Sequence, residues 1–559
     1  MKTLQSFSKT MALLLLIIFI SCNTKPNKQI LQTKSEWSNR KFSMFIHWGL
    51  YSIPAGMWDN KKITGYSEQI KGHANIPTNE YRKLAKQFNP TKWNPDSIVL
   101  LAKKAGMKSI IITSKHHDGF CMFDTQYSDF NIVKATPYKR DILKELSNAC
   151  KKYNICFGVY FSLIDWDYPK AMPFSSVRNS DSIPPAHHQY NLNQIRELLT
   201  NYGDISEIWF DMGSPTYKQS SEIRQLVKQL QPNCMISGRI WNNQGDFVVM
   251  GDNYKPEFKM GVPWQTPASI FTQTWGYRSW QVRNNINQKI HEKILDLINI
   301  VSSGGNYLLN IGPKGNGQVV NYEKQVLIEI GKWIKTNKEA IYETTTTPIG
   351  KQNWGYTTSK DQKLFLHIID IPKNKKLTIK GLDINITKIY PLNNTNILLE
   401  STHKKNTLTI DLSPVLFNKY ATVIAIEYKN NYQYIPLNTI TANINNTFNL
   451  NTLNCEKYHS YSGHDYYSTK PTVVKMRWNI LNNYNQNYKL KVKYKSNSKE
   501  KLCLCVNEQN HILNTNSEII NTIQLKPESI NCIELVQLNQ NNPHKDLGIE
   551  NLDILLVAE

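Results

Sequence analysis

From Trp37 to about Tyr342 the chain alternates short apolar runs with longer segments of helical periodicity. The short runs predict strands at Lys41–His47, Ser109–Ser114, Cys156–Ser162, Glu207–Asp211, Met235–Ser237 and Tyr307–Ile311. Between them the 3.6-residue pattern predicts helices at Pro95–Lys104, Arg140–Tyr153, Asn191–Tyr202, Ser220–Leu230, Asn285–Ser302 and Glu323–Asn337. Such alternation marks parallel βα units. About three hundred residues of it fit one β/α barrel, expected over residues 37–343. From Thr344 helical periodicity fades and short alternating strands separated by Asn and Lys turns take over. They predict a β-sandwich over 344–430 and a second over 431–559. The expected fold class is α/β: a barrel followed by two β-sandwich domains.

Before the barrel, Lys2 and Lys9 precede an apolar run, Met11 to Ile20, too short for an ordinary membrane span. It ends at Phe19-Ile20-Ser21-Cys22, which resembles a bacterial lipobox, so Cys22 is expected to be lipidated. Residues 1–22 are then a signal peptide, and 23–36 a flexible polar linker. Ordinary secretion and an uncleaved anchor are the alternatives. The expected location is outside the cytoplasm, in the periplasm or on the outer surface, held to a membrane by the N-terminal lipid.

Composition adds little. The 13 tryptophans suit a sugar-binding cleft but also a core. A net charge of +22 would favour polyanions, including sulfated and uronate-bearing glycans, or follows from lysines scattered over a solvated surface. No basic cluster interleaved with aromatics suggests a nucleic-acid partner. The eight cysteines after Cys22 lack metal-type spacing and read mostly as small buried hydrophobes; Cys503 and Cys505, two apart in a strand, point the same way.

Titratable residues recur where the barrel strands end. Asp211 closes Glu207-Ile208-Trp209-Phe210-Asp211, and Gly213 follows it into a loop. His47 and Trp48 follow the first strand; Lys115-His116-His117-Asp118-Gly119-Phe120 follows the second; Arg239 follows Met235-Ile236-Ser237-Gly238. Acids at the C-terminal ends of barrel strands are usually catalytic, because the active site is built there. His116 and His117, on an extended backbone, should point their rings apart, which favours pairing with sugar hydroxyls over chelation.

His47-Trp48-Gly49, Tyr66-Ser67-Glu68, the Lys115–Phe120 run, Phe157-Gly158-Val159-Tyr160, Trp209-Phe210-Asp211 and Asn306-Tyr307-Leu308-Leu309-Asn310-Ile311-Gly312-Pro313 occur in this order across the barrel. Together they resemble glycoside hydrolase family 29, the α-L-fucosidases. The segment Tyr461–Ser468 resembles an extra β-sandwich module of some bacterial members. The resemblance implies a retaining exo-glycosidase with no cofactor and no metal, acting on a fucosylated oligosaccharide or polysaccharide, and the net charge leaves a sulfated one open. It implies Asp211 as nucleophile; His47, His116 and His117 as hydroxyl-holding residues; and Glu68, Tyr160 and Arg239, with Trp48 and Trp209 as lining, as further pocket residues. The second acid departs from the family pattern: Gly251 stands near the expected Glu, which leaves Asp252 or Glu257 as acid/base candidates, and Trp264-Gln265 replaces a Trp-Glu pair. Cleavage of a related α-L-sugar such as an α-L-galactoside, or glycan binding without turnover, are the rival expectations.

Overall fold

The computed structural model describes residues 28–169, 171, 173–174, 182–404, 406–436, 438–461, 471–498, 500–513, 517–538 and 544–559. Cys22 and its signal segment, and residues 462–468 of the module motif, lie outside these.

Eight parallel strands form the first domain. In chain order they are β1 (Phe42–Ile46), β2 (Ser109–Lys115), β3 (Cys156–Ser162), β4 (Ile205–Asp211), β5 (Met235–Ile236), β6 (Val248–Val249), β7 (Trp264–Ser269) and β8 (Asn306–Ile311). Each pairs with its neighbour in sequence, β1 pairs with β8, and a parallel bridge between Ser237 and Phe247 joins β5 to β6. The sheet therefore closes on itself, as the alternating pattern predicted. β1 and β2 are buried along their whole length, as strands between a filled barrel and an outer helix layer must be.

Two strands were absent from the sequence-based expectation. β6 is two residues long, and β7, Trp-Gln-Thr-Pro-Ala-Ser, carries a proline and little apolar character. Pro267 lacks the donor a ladder needs, a pattern that ordinarily argues against a strand. The pairing shows how it is accommodated: backbone partners Leu308 on one side and the short reach of β6 on the other leave that position undemanding.

The seven longest helices among the described residues are α1 (Lys28–Arg40), α2 (Pro95–Lys104), α3 (Ile142–Tyr153), α4 (Pro185–Asn201), α5 (Tyr217–Leu230), α6 (Ile286–Ser302) and α7 (Asn321–Asn337). Asn94 caps α2 with Pro95 in its first turn, Asp141 caps α3, and Thr216 with Gln219 forms a capping box on α5. None of the described helices is long and apolar enough to cross a membrane. α1 corrects the expected linker over 23–36. Its last turns pack under the barrel: Trp37 stacks on Phe247 at 4.4 Å, gives its indole N–H to Glu207 at 2.6 Å, and accepts from Asn306 Nδ2 at 2.8 Å through its carbonyl. Trp37 thus closes the barrel floor, a tertiary role that the polar local sequence does not announce.

After the barrel, a five-stranded antiparallel sheet faces a three-stranded one around Leu364, Leu366, Leu377, Ile379, Leu408, Ile410, Ile424 and Ile426. Strand Thr422–Tyr434 runs through the expected break at residue 430. A second pair of sheets encloses Trp478, Leu490, Leu504, Ile533, Ile554 and Leu556. It touches the barrel where Met260 pairs with His459. The eight described cysteines are free thiols; Cys121, Cys150, Cys234 and Cys503 are buried, the other four half-buried. Cys503 and Cys505 share a face with their sulfurs 3.9 Å apart.

Candidate active site

At the C-terminal ends of the strands lies a pocket with about 310 Å³ of empty space out to its mouth. Its residues come from nearly every strand end. Phe45 and His47 belong to β1 and its exit, Glu68 and Gln69 to the turn at Ser67–Gln69, and His116 and His117 to the exit of β2. Trp209 and Asp211 are two apart on β4 and so face inward together; Arg239 follows β5, Asp252 follows β6, and Trp275 follows β7.

Asp211 is the focus of the hydrogen bonding. Tyr160, on the neighbouring strand, donates its hydroxyl to Asp211 Oδ2 at 2.7 Å, and Arg239 Nη1 donates to Oδ1 at 2.9 Å. Burial alone would push the Asp211 carboxyl up. The Arg239 guanidinium and the Tyr160 hydroxyl oppose it, and the carboxyl is held below its ordinary value. Past Asp211 the chain turns sharply, with Met212 and Gly213 both at positive φ. Arg239 reaches further: its Nη2 donates to Asp252 Oδ1 at 2.7 Å, and its guanidinium lies over the Trp209 ring at 4.9 Å. One planar cation therefore spans two carboxyl groups, a geometry that lysine could not supply.

The histidines are neutral. His47 gives Nδ1–H to the Asn310 amide oxygen at 2.8 Å, which leaves Nε2 as an acceptor. Ser162 spends its hydroxyl proton on the Ile164 carbonyl, so it accepts from His117 Nδ1 at 2.8 Å and fixes the same tautomer. His117 Nε2 stands 3.7 Å from Asp211 Oδ2, too far for a direct bond. Burial lowers both His47 and His117 to about 4, and His116 well below its ordinary value. His116 Nδ1 has no partner among the described residues. The rings of His116 and His117 do not diverge as an extended backbone would require. β2 ends at Lys115, the chain turns so that Gly119 N bonds His116 O, and the rings lie 4.0 Å apart against one pocket. Gly119 has φ +85, and a Cβ there would meet Asp165 Oδ1 at 2.2 Å, so only glycine permits this turn.

Glu68 is 2 % exposed. Its Oε2 accepts from the amides of Trp275 at 3.1 Å and Gly276 at 2.9 Å. Burial raises it to about 7 against the pull of these amides.

Three expected site residues stand elsewhere or behind the wall. Trp48 does not line the pocket: it is fully buried, stacks on Trp93 at 4.7 Å and donates to the Lys314 carbonyl. It follows an inward residue by one position, and on an extended chain that sends it outward. Glu257 is exposed and outside the described lining, because the chain beyond Asp252 leaves the pocket toward the second sandwich. Tyr160 sits behind Asp211 and holds it. Phe45, Gln69 and Trp275 line the pocket without having been singled out, and Asn310 sets the His47 tautomer and holds the Trp275 carbonyl at 2.7 Å. Phe45 could have been found from its two-residue spacing to His47; Trp275 follows the strand that the proline disguised.

A family profile described as α-L-fucosidase matches residues 20–339. Human plasma α-L-fucosidase is 30 % identical over 335 residues, covering 56 % of this chain and 70 % of its own. A solved structure titled as a trapped covalent intermediate of a family 29 α-L-fucosidase from Bacteroides thetaiotaomicron, in complex with 2-fluoro-fucosyl fluoride, superposes with a TM-score of 0.65 at 27 % identity, over 71 % of this chain and 96 % of that one. The α-L-fucosidase of Vibrio sp. strain EJY3 gives 0.67 at 26 % identity and spans 95 % of this chain and 98 % of its own, both sandwiches included. With more than half its length matched by the family profile and its fold superposing on solved members, the chain belongs to the α-L-fucosidases, glycoside hydrolase family 29.

Proposed function

We propose that Asp211 and Asp252 are the two working carboxyls of this retaining exo-α-L-fucosidase, and that Arg239 serves both. Release of terminal α-linked L-fucose is the activity of the chain. The bridging guanidinium is the observation that carries the assignment of roles. In the first step an ionised Asp211 attacks the anomeric carbon, the glycosidic C–O bond breaks, and a protonated Asp252 gives its proton to the departing oxygen. Asp211 thereby loses its charge as Asp252 gains one. Arg239 faces a single negative charge before and after, so the charge moves along it rather than being created in a buried site. Water then attacks the glycosyl ester, Asp252 takes its proton, and Asp211 is freed.

Position favours Asp252 over Glu68 as proton donor. An exo-acting pocket holds the sugar ring inside and the leaving group at the mouth. The Asp252 side chain is 18 % exposed, whereas Glu68 is sealed with one oxygen held by two amides. Glu68, His47, His116 and His117 are instead suited to the ring hydroxyls. Phe45, Trp209 and Trp275 supply the apolar wall that a C6 methyl requires; an α-L-galactoside would bring a hydroxyl against it without a partner. Arg239 is the sole Lys or Arg among the described lining residues and is already shared, which favours an unsulfated fucose in the pocket, with sulfate carried elsewhere on the glycan.

The test is Asp252→Ala. Activity should fall mainly on substrates with poor leaving groups, and azide should restore turnover of an activated aryl fucoside by attacking the glycosyl-enzyme without base assistance. Equal losses on good and poor leaving groups, with no azide rescue, would remove Asp252 from the role. The N-terminal segment is further proposed to carry the chain out of the cytoplasm and to hold it on a membrane through lipidated Cys22. On that reading Cys22→Ser shifts the protein to the soluble fraction, and continued membrane association would point to an uncleaved apolar segment.

A further inference from the structure

The pocket uses one of the chain's 66 Lys and Arg side chains. A concentration of the rest lies at the opposite end of the barrel. Lys103 and Lys104 end α2, Lys108 precedes β2, Lys332 and Lys335 come from α7, and Lys338 follows it. These six are among only 14 residues lining a groove with about 1350 Å³ of empty space out to its mouth, and no Asp or Glu lines it. Against 66 in 559 for the whole chain, that density is more than even scatter.

The rest of the lining says what the lysines are for. It is glycine, methionine and isoleucine, with Asn154 and Tyr342 the only other polar side chains. Tyr342 already gives its hydroxyl to the Gly106 carbonyl, and Lys108 lies 4.4 Å over its ring. A glycan needs acceptors as well as donors for its hydroxyls, as the sugar pocket provides, and a single-stranded nucleic acid uses free ring faces. Lys332 pairs with Glu329 at 2.6 Å and Lys103 donates to the Tyr153 carbonyl at 3.1 Å, while the other lysines offer cations on flexible apolar stems above an apolar floor of Met107, Ile155, Ile328 and Ile334. That combination suits phosphate headgroups with hydrocarbon beneath them.

Its place in the fold is defined by backbone bonds. Lys108 N bonds Phe42 O and Cys156 N bonds Lys108 O, so the groove opens at the N-terminal ends of β1, β2 and β3. The sugar pocket lies at their C-terminal ends. α1 reaches the barrel at the groove's end as well, since Arg40 leads directly into β1. We propose that this lysine-lined face rests on an anionic phospholipid surface and so turns the mouth of the sugar pocket away from the membrane. The proposal does not depend on Cys22 being lipidated.

The experiment compares the full chain on phosphatidylcholine vesicles with the same vesicles containing about a third phosphatidylglycerol. The quantity read is the gain in partition on adding the anionic lipid, which cancels any insertion of the apolar leader common to both. Lys104→Glu, Lys335→Glu and Lys338→Glu together should cut that gain at least about tenfold, and rising salt should erase it in the parent. Lys489→Glu, Lys491→Glu and Lys493→Glu, exposed on a strand of the second sandwich, change net charge equally and should leave most of it. Turnover of an aryl fucoside reports folding and should be unchanged in both; if the Glu variant is unstable, the Gln triple should lose a smaller part of the gain. An undiminished gain in the groove variant, or an equal loss in the control, overturns the proposal. So does loss of binding to a soluble sulfated polysaccharide with the vesicle gain intact, which would make the occupant a glycan.

Discussion

Replacing Arg239 by Met should show how much of the active site depends on one cation. Methionine keeps the length and packing against Trp209 but removes both bonds, 2.9 Å to Asp211 and 2.7 Å to Asp252. Each is charge-assisted and mostly shielded from water, so a loss of about 1.5–3 kcal/mol apiece is reasonable. Together that is about 3–6 kcal/mol, or roughly a hundred- to several-ten-thousandfold in kcat/KM. The pH dependence should change as well. Burial is the largest influence on Asp211 and pushes its carboxyl up; without Arg239 the direct bond that still opposes it is the one from the Tyr160 hydroxyl. The carboxyl then moves upward, and the ionised nucleophile forms only at higher pH. In the parent, stability contributed by the depressed carboxyl is present at neutral pH and lost as pH falls through its folded value; the variant should lack that contribution. The assay is kcat/KM against pH on an activated aryl fucoside, beside thermal melts of both proteins. A variant within fivefold of the parent, with an unmoved acid limb, would refute the view that Arg239 keeps Asp211 ionised. Arg239→Lys should fall between the two, because an ammonium cannot fork across both carboxylates.

Asp211→Asn, nearly isosteric, should lower turnover at least about a thousandfold, on the order of 4 kcal/mol of barrier, with an unchanged melt; a mutant within tenfold of the parent would exclude Asp211 as nucleophile. Glu68 sits near 7, so it loses its proton as pH rises through that value, and a limb in kcat/KM near neutrality should be missing in Glu68→Gln; the same limb persisting in the variant would assign it to another group. His47 and His117, lowered to about 4, stay neutral when folded but charge below about 6.5 when unfolded, so denaturant midpoints should fall between pH 6.5 and 4. His117→Gln should flatten part of that slope, and a midpoint independent of pH across the window would contradict the assigned burial.

The barrel was readable because strands buried on both faces must be nearly continuous apolar runs, and caps such as Asn94 and Asp141 mark the helices between them. Asp211 was readable for the same reason: a carboxylate ending such a run has to emerge at the barrel's working face. Where the local pattern did not govern, the sequence was silent or misleading. β7 is held by its neighbours despite Pro267, and Trp37 found its partner Glu207 on a strand 170 positions away. Trp48 and His47 are adjacent in sequence, yet one is packed into the wall and the other lines the pocket. The choice between Asp252 and Glu257 was likewise beyond local reading, since it depends on where one loop leaves the pocket and which carboxylate a guanidinium from another loop can reach. Strand direction and burial follow from residues a few positions apart; the meeting of Asp211, Arg239 and Asp252 follows only from closing eight strands into a ring.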